Sequence, residues 1–266
     1  MKHAVTSTPV VFFGTPEFAV PALEALVQAN YEVVAVITQP DKPVGRGLKM
    51  EAPAVKVRAE ELGLSVVQPV ALKPSVGPGL VPGRGTLSVP KSHAQRGGGA
   101  PGPALQMLKS LNPDLGIAVA YGKIIPKAVL DIFPRGVLNL HPSLLPKYRG
   151  PSPIQAAILN GDVETGVTIM LLDEQLDHGP ILAQSPSPIV AEGWGERQSS
   201  AGELSTHLAH EGAKLLINTL PRWLDEKIIP SEQDHAKATF TKMLTREHGK
   251  IDWHKLDTVA LVSGPG

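Results

Sequence analysis

Val10-Val11-Phe12-Phe13-Gly14-Thr15-Pro16-Glu17-Phe18 reads as a buried strand running straight into a helix. Four consecutive apolar residues without alternation suit a strand covered on both faces. Thr15 offers a hydroxyl cap, Pro16 a first helical position, and Glu17 an acid in the first turn. Phe18, Pro21, Ala22, Ala25 and Leu26 then mark an apolar helical face. The same rhythm continues downstream. Strands are expected at Glu32–Thr38, Leu64–Gln68, Asp114–Ala120 and Gly136–His141, with a helix over Ala52–Leu62 closed by Gly63. Alternating strands and helices predict an α/β fold, Rossmann-like and doubly wound around a mainly parallel sheet. Thr165–Leu171 and Pro180–Ala183 add later strands, read as antiparallel, and Ala201–Leu220 a long helix broken by Pro221.

Val137-Leu138-Asn139-Leu140-His141-Pro142 carries the first chemical signal. The alternation puts Asn139 and His141 on one side of a strand, and Pro142 ends regular pairing. An amide and an imidazole are thereby fixed at a strand tip, where open α/β sheets place ligands. Leu176-Asp177-His178-Gly179 follows a later strand and adds a carboxylate before a glycine turn. An amide N–H holds a developing oxyanion, an imidazole stabilises charge or moves a proton, and a carboxylate orients the imidazole or accepts a proton. Each residue taken alone has a plain structural role in a turn or core; the combination is what points to catalysis. No Ser or Cys stands in a nucleophile elbow, so direct transfer between two bound substrates fits better than a covalent enzyme intermediate.

Composition sets the outer bounds. The 266 residues are 42% hydrophobic, enough for a sizeable core. The formal net charge is +0, so contact with nucleic acid has to be local rather than global. The absence of cysteine excludes disulfides and thiolate chemistry and suits a reducing compartment. No signal-peptide pattern and no membrane-length apolar run is present, which predicts a cytoplasmic protein with no membrane partner. His207 and His210 lie three apart on one helix, but no third ligand accompanies them and no metal is expected.

Two regions depart from the α/β rhythm. Lys73–Pro103 holds eight Gly and six Pro in 31 residues, without an acid. It cannot bury a useful apolar face, and is read either as a disordered surface insertion or as sequence foreign to the fold. Residues 222–238 read as a linker, and residues 239–266 as the truncated start of a C-terminal domain. The catalytic domain is expected to span residues 1–221.

The motifs carry a resemblance. They are Phe13–Pro21, Thr38-Gln39-Pro40-Asp41-Lys42-Pro43-Val44-Gly45-Arg46-Gly47, Ala120–Pro126, Asn139–Gly150, Pro153-Ile154-Gln155, Gly161–Met170 and Leu176–Gly179. Together they resemble the 10-formyltetrahydrofolate-dependent formyltransferases, most closely the branch that formylates methionyl-tRNA. The resemblance covers about residues 9–72 and 104–221 and resumes faintly at 238–255. It implies that Asn139, His141 and Asp177 are catalytic, with Asn139 and a protonated His141 stabilising the oxyanion. Ser143, Leu144, Leu145 and Pro146 would line the folate pocket. Lys42, Arg46 and Lys49 would meet the acceptor arm of the tRNA, and their phosphate contacts would be salt-sensitive. The implied co-substrate is 10-formyltetrahydrofolate and the implied partner methionyl-initiator-tRNA, with a monomer expected. The C-terminal domain of the family resembles a β-barrel, of which only a remnant is read here. Two alternatives accompany this reading: formyl transfer to a sugar-nucleotide amine, and an inactive truncated copy of the tRNA enzyme.

Overall fold

The apolar run Val10–Phe13 lies in the interior of a sheet. A computed structural model describes residues 6–44, 48–69, 72, 103–189, 200–245 and 247. Strand β1 (Thr6–Gly14) pairs in parallel with β2 (Tyr31–Ile37) on one side and β6 (Leu115–Val119) on the other. With β5 (Val66–Val67), β7 (Val137–His141), β8 (Glu164–Leu171) and β9 (Ile181–Pro188), the order is β5-β2-β1-β6-β7-β8-β9. The first five are parallel, while β8 runs against β7 and β9 against β8.

The lack of alternation in β1 has its cause in two cores. Val10 and Phe12 pack on one face with α1 (Val20–Gln28) and with Ala213, Leu216 and Leu220 of α6 (Ala201–Leu224). Val11 and Phe13 pack on the other with α3 (Pro103–Ser110) and α4 (Lys127–Leu130). Each face excludes water, so apolar side chains are favoured at every position of the strand. A third cluster joins α5 (Pro153–Leu159) to Tyr148, Val167, Leu204 and Leu208. Helix α2 (Ala54–Glu61) ends at Gly63, whose φ of +70° is the left-handed cap expected of it.

Several local expectations are corrected. Thr15 does not cap a helix. A single 3-10 turn at Glu17–Ala19 follows Pro16, and the Thr15 hydroxyl donates instead to the Tyr121 carbonyl at 2.9 Å. The carbonyl just past the end of the neighbouring strand outcompetes the local cap. Pro221 does not end α6, which continues to Leu224. Proline there removes one N–H, but the last turn is fastened from outside. Trp223 Nε1 donates to Arg135 O at 3.1 Å, and Arg135 Nη1 to Leu224 O at 2.8 Å. A capping box at its start, Ser200 with Glu203, was not legible within the polar stretch before it. Strand β9 extends well past Ala183. The segment read as an insertion falls, apart from Pro103 at the start of α3, outside the described residues.

Strand order places the ligand crevice. The chain winds outward from β1 to β2 and β5, then returns across to β6 and β7. Connections leave β1 and β6 in opposite directions, opening a gap beyond their C-terminal ends. Gly14-Thr15, Thr38-Gln39, Ala120-Tyr121 and Asn139–His141 all sit along that edge.

Gly166 shows how tightly the antiparallel wing is built. A Cβ there would collide with the Ser185 carbonyl of β9 and come within 2.6 Å of Leu144 Cδ2. Gly166→Ala is expected to lower the unfolding free energy by roughly 1–3 kcal/mol. Urea denaturation checks this; an unchanged midpoint would contradict the close approach.

Candidate active site

Strand β7 divides its side chains between the two cores. Leu138 and Leu140 belong to the α1/α6 side, and Val137 to the other. Asn139 and His141 therefore share the face of Val137, as the alternation predicts. Asp177 reaches them from the loop after β8. Its Oδ1 lies 3.5 Å from Asn139 Nδ2 and 3.7 Å from His141 Nδ1. Its Oδ2 accepts a 2.8 Å bond from the Gly150 backbone N–H. One carboxylate oxygen is anchored, and the other faces the amide and the imidazole together. The His141 and Asp177 side chains are only 5% and 12% exposed, so this contact is little screened by water.

The neighbours settle the roles of the two His141 nitrogens. Nε2 lies 2.9 Å from the Tyr148 carbonyl oxygen, which can only accept. Nε2 therefore carries a proton, and Nδ1 is the nitrogen turned toward Asp177. Asn139 is likewise oriented by its neighbour: a carboxylate accepts, so the amide NH2 faces it. One of its N–H bonds points at Asp177, and the second is available to a bound oxygen.

The Ser143–Pro146 loop is held from within. Thr168 on β8 donates to Ser143 O at 2.6 Å and accepts from Leu145 N at 3.2 Å and from Gln184 Nε2 at 2.9 Å. A hydroxyl offers one donor and two acceptor sites, and all three are used. Gln184 also donates to Leu145 O at 2.9 Å, and the Ser143 hydroxyl to Lys147 O at 2.6 Å. Ser143 and Leu145 are buried, while Leu144 and Pro146 are partly exposed. The Ser143 hydroxyl thus serves the loop, and the loop can serve a ligand by its shape. Tyr148 anchors its far end, donating to Asp162 at 2.8 Å beside Lys147, whose ammonium is bonded to the same oxygen at 2.7 Å. That bond holds the Lys147 ammonium above its ordinary pKa.

The basic segment forms a hairpin that the sequence did not announce. Strands β3 (Lys42–Val44) and β4 (Lys49–Glu51) pair antiparallel. Lys42 donates to Gln39 Oε1 at 2.6 Å, and Gln39 Nε2 to the Tyr121 carbonyl at 2.9 Å. The hairpin base is thus tied to the end of β6, on the same sheet edge as Asn139 and His141. Lys49 is exposed, as are its neighbours Leu48 and Met50. Arg46 lies outside the described residues. The two helical histidines do not converge: His207 Nε2 meets Ser187 Oγ at 3.0 Å, and His210 Nδ1 bonds to Thr206 O at 2.8 Å. Among the described residues no group of three or more His, Asp or Glu gathers as a metal site.

What sequence reasoning missed is the segment after α6. Residues 231–241, expected to link domains and begin a new one, run along the loops that carry Tyr148–Ser152 and Asp177–Gly179. Arg149 N donates to Thr239 O at 2.8 Å and Thr241 N to Arg149 O at 2.7 Å. Tyr148 N and Ser152 N donate to the hydroxyls of Thr239 and Thr241 at 2.8 and 3.1 Å. Ser231 and Ile181 exchange two backbone bonds of 2.8 Å each. These partners are mostly backbone groups of distant loops, which leave no periodic signature in sequence.

Residues 8–220 match the family described as formyl transferase. The chain belongs to that family. It is similar to the methionyl-tRNA formyltransferase of Chloroflexus aurantiacus, 44% identical over 92% of this chain and 68% of that protein. The methionyl-tRNA formyltransferase of Thermodesulfovibrio yellowstonii is 41% identical over 93% of this chain and 70% of its own length. In fold the chain resembles a Helicobacter canadensis N-formyltransferase solved with folinic acid and dTDP-3-aminofucose. The TM-score is 0.63 at 20% identity, covering 93% of this chain and 76% of that one. It also resembles Bacillus halodurans phosphoribosylglycinamide formyltransferase, with a TM-score of 0.57 at 24% identity over 83% and 97% of the two chains.

The formyl transferase match contains Asn139, His141 and Asp177, the Ser143–Pro146 loop and the basic hairpin, and stops before the 231–241 segment. Around the candidate site, Thr168 is the most heavily used hydroxyl among the described residues. Thr168→Val keeps the shape but strands a buried N–H at Leu145. It is expected to cost about 1–3 kcal/mol in urea unfolding. Stability equal to the parent chain would show that the loop does not depend on that hydroxyl.

Proposed function

We propose that this chain transfers the formyl group of 10-formyltetrahydrofolate to the α-amine of methionyl-initiator-tRNA. The observation that carries the reading is the arrangement around Asp177 Oδ1, which Asn139 Nδ2 and His141 Nδ1 both face at the ligand edge of the sheet. The amine nitrogen attacks the formyl carbon, giving a tetrahedral adduct with charge on the former carbonyl oxygen. Asn139 and a doubly protonated His141 donate to that oxyanion, while Nε2–H stays bonded to Tyr148. Asp177 takes the proton released by the attacking nitrogen and passes it to the departing folate nitrogen. The carbon–nitrogen bond to folate then breaks, leaving tetrahydrofolate and formylmethionyl-tRNA. No covalent enzyme intermediate is required.

The Ser143–Pro146 loop shapes the folate side of the crevice, with its own polar groups already satisfied. Lys42 and Lys49 on the hairpin, with Arg46 next to them in sequence, support tRNA over a sugar nucleotide as acceptor, because cations beside the same sheet edge suit phosphate. The match to methionyl-tRNA formyltransferases supports the same choice. In this reading residues 1–221 are the catalytic domain, interrupted at 73–103, residues 231–241 pack back on its loops, and a further domain begins within residues 239–266. No described helix is long and apolar enough to cross a membrane, and an enzyme acting on initiator tRNA works in the cytoplasm.

The test is incubation with 10-formyltetrahydrofolate and charged initiator tRNA, with mass detection of formylmethionine. Product is expected, with a rate that falls as salt rises. Asn139→Ala and His141→Ala are each expected to lower turnover by about 10²–10³ while leaving thermal unfolding intact. Formylation of an amino-sugar nucleotide with none on tRNA would replace this reading with the sugar-nucleotide one. Near-full turnover by either variant would remove the catalytic assignment.

A further inference from the structure

Gln233 lies beyond the matched family domain and yet is bonded to the backbone of the proposed catalytic carboxylate. It is 5% exposed, in a stretch whose other polar residues are on the surface. Its Oε1 accepts from Arg149 Nε at 3.1 Å and from Nη2 at 2.6 Å. Its Nε2 donates to Asp177 O at 3.0 Å and to Gly179 O at 2.7 Å. A primary amide has two acceptor and two donor positions, and all four are filled by protein. The orientation is forced: a guanidinium only donates and the two carbonyls only accept.

The two arms meet on either side of Asp177. Asp177 has φ +46°, a left-handed conformation that disfavours a side chain and persists only where surroundings impose it. One imposition comes from Gly179, where a Cβ would collide with the Leu171 carbonyl. The other comes from Gln233, which fixes the carbonyls of Asp177 and Gly179 together. The opposite arm holds Arg149, the residue before Gly150, whose N–H is the donor anchoring Asp177 Oδ2. Gln233 thus sets both the backbone that carries the carboxylate and the loop that anchors it.

We infer that Gln233 is a positioning residue for formyl transfer, clamping the 142–150 loop to the 172–180 loop so that Asp177 Oδ1 faces Asn139 and His141. This inference rests on the proposed role of Asp177. Misplacing a reacting group by about an ångström costs on the order of 10²-fold in rate without abolishing binding. Gln233→Glu is the discriminating variant, because it keeps an acceptor for Arg149 and replaces the two donors that hold the carbonyls. Gln233→Ala removes both arms.

The experiment measures formylation of methionyl-tRNA by the full chain and its Gln233→Glu, Gln233→Ala, Asp177→Ala and combined variants, with thermal unfolding alongside. Gln233→Glu is expected to stay folded and to lose about tenfold or more in kcat with KM for both substrates nearly unchanged. In the Asp177→Ala background, Gln233→Glu is expected to lower the remaining rate no further. An equal loss in both backgrounds, a kcat within twofold of the parent, or an unfolded Gln233→Glu overturns the inference. Full turnover by Asp177→Ala would instead remove the reading on which it rests.

Discussion

The carboxylate of Asp177 is the point at which three separated stretches of chain are made to agree. Oδ2 is taken by the N–H of Gly150, and Oδ1 is left facing Asn139 and His141. That division follows from backbone geometry. Asp177 is turned into the left-handed region, and Gly150 has φ +110° with Thr241 backbone and side-chain atoms where its Cβ would stand. Neither loop holds that shape by local preference. The 142–150 loop is braced by Thr168 beneath it and by the 239–241 backbone beside it. A weakly exposed carboxylate whose second oxygen is already bonded has little freedom to turn, which is what preorganised charge stabilisation needs.

Much of this was legible because it follows from burial. Strands β1, β2, β6 and β7 are covered on both faces, so their apolar runs stand out against any background. The pairing of Asn139 with His141 followed from the two-residue period alone, and Asp177 from its place after a strand and before a glycine. The less legible features depend on groups far away in sequence. Thr15 has the chemistry of a helix cap and is captured instead by Tyr121 O. Pro221 has the chemistry of a helix stop and is overruled by Arg135 and Trp223. Thr168 looked like one more residue of a buried strand, and Gln233 like one more polar residue of a connecting segment. Their importance lies in backbone carbonyls and amides, which every residue carries and no pattern displays.

In the proposed function, a chain without net charge would address a polyanionic substrate through local charge. Lys42 and Lys49 lie on the hairpin, and Gln39 links that hairpin to the end of β6. In the proposed function, attraction for phosphate would be local and would act where the acceptor amine arrives. The same edge carries the amide and imidazole that would stabilise the transferred group, so in the proposed function substrate grip and chemistry would share one sheet edge.

The central claim is that Asp177 and Tyr148 divide the two nitrogens of His141 between them. The 15N chemical shifts of the His141 ring, followed by NMR as pH is varied and assigned against His141→Gln, test it most directly. Nε2 is expected to carry the proton of the neutral ring, with Nδ1 bare. A neutral ring protonated at Nδ1, with Nε2 bare, would contradict it.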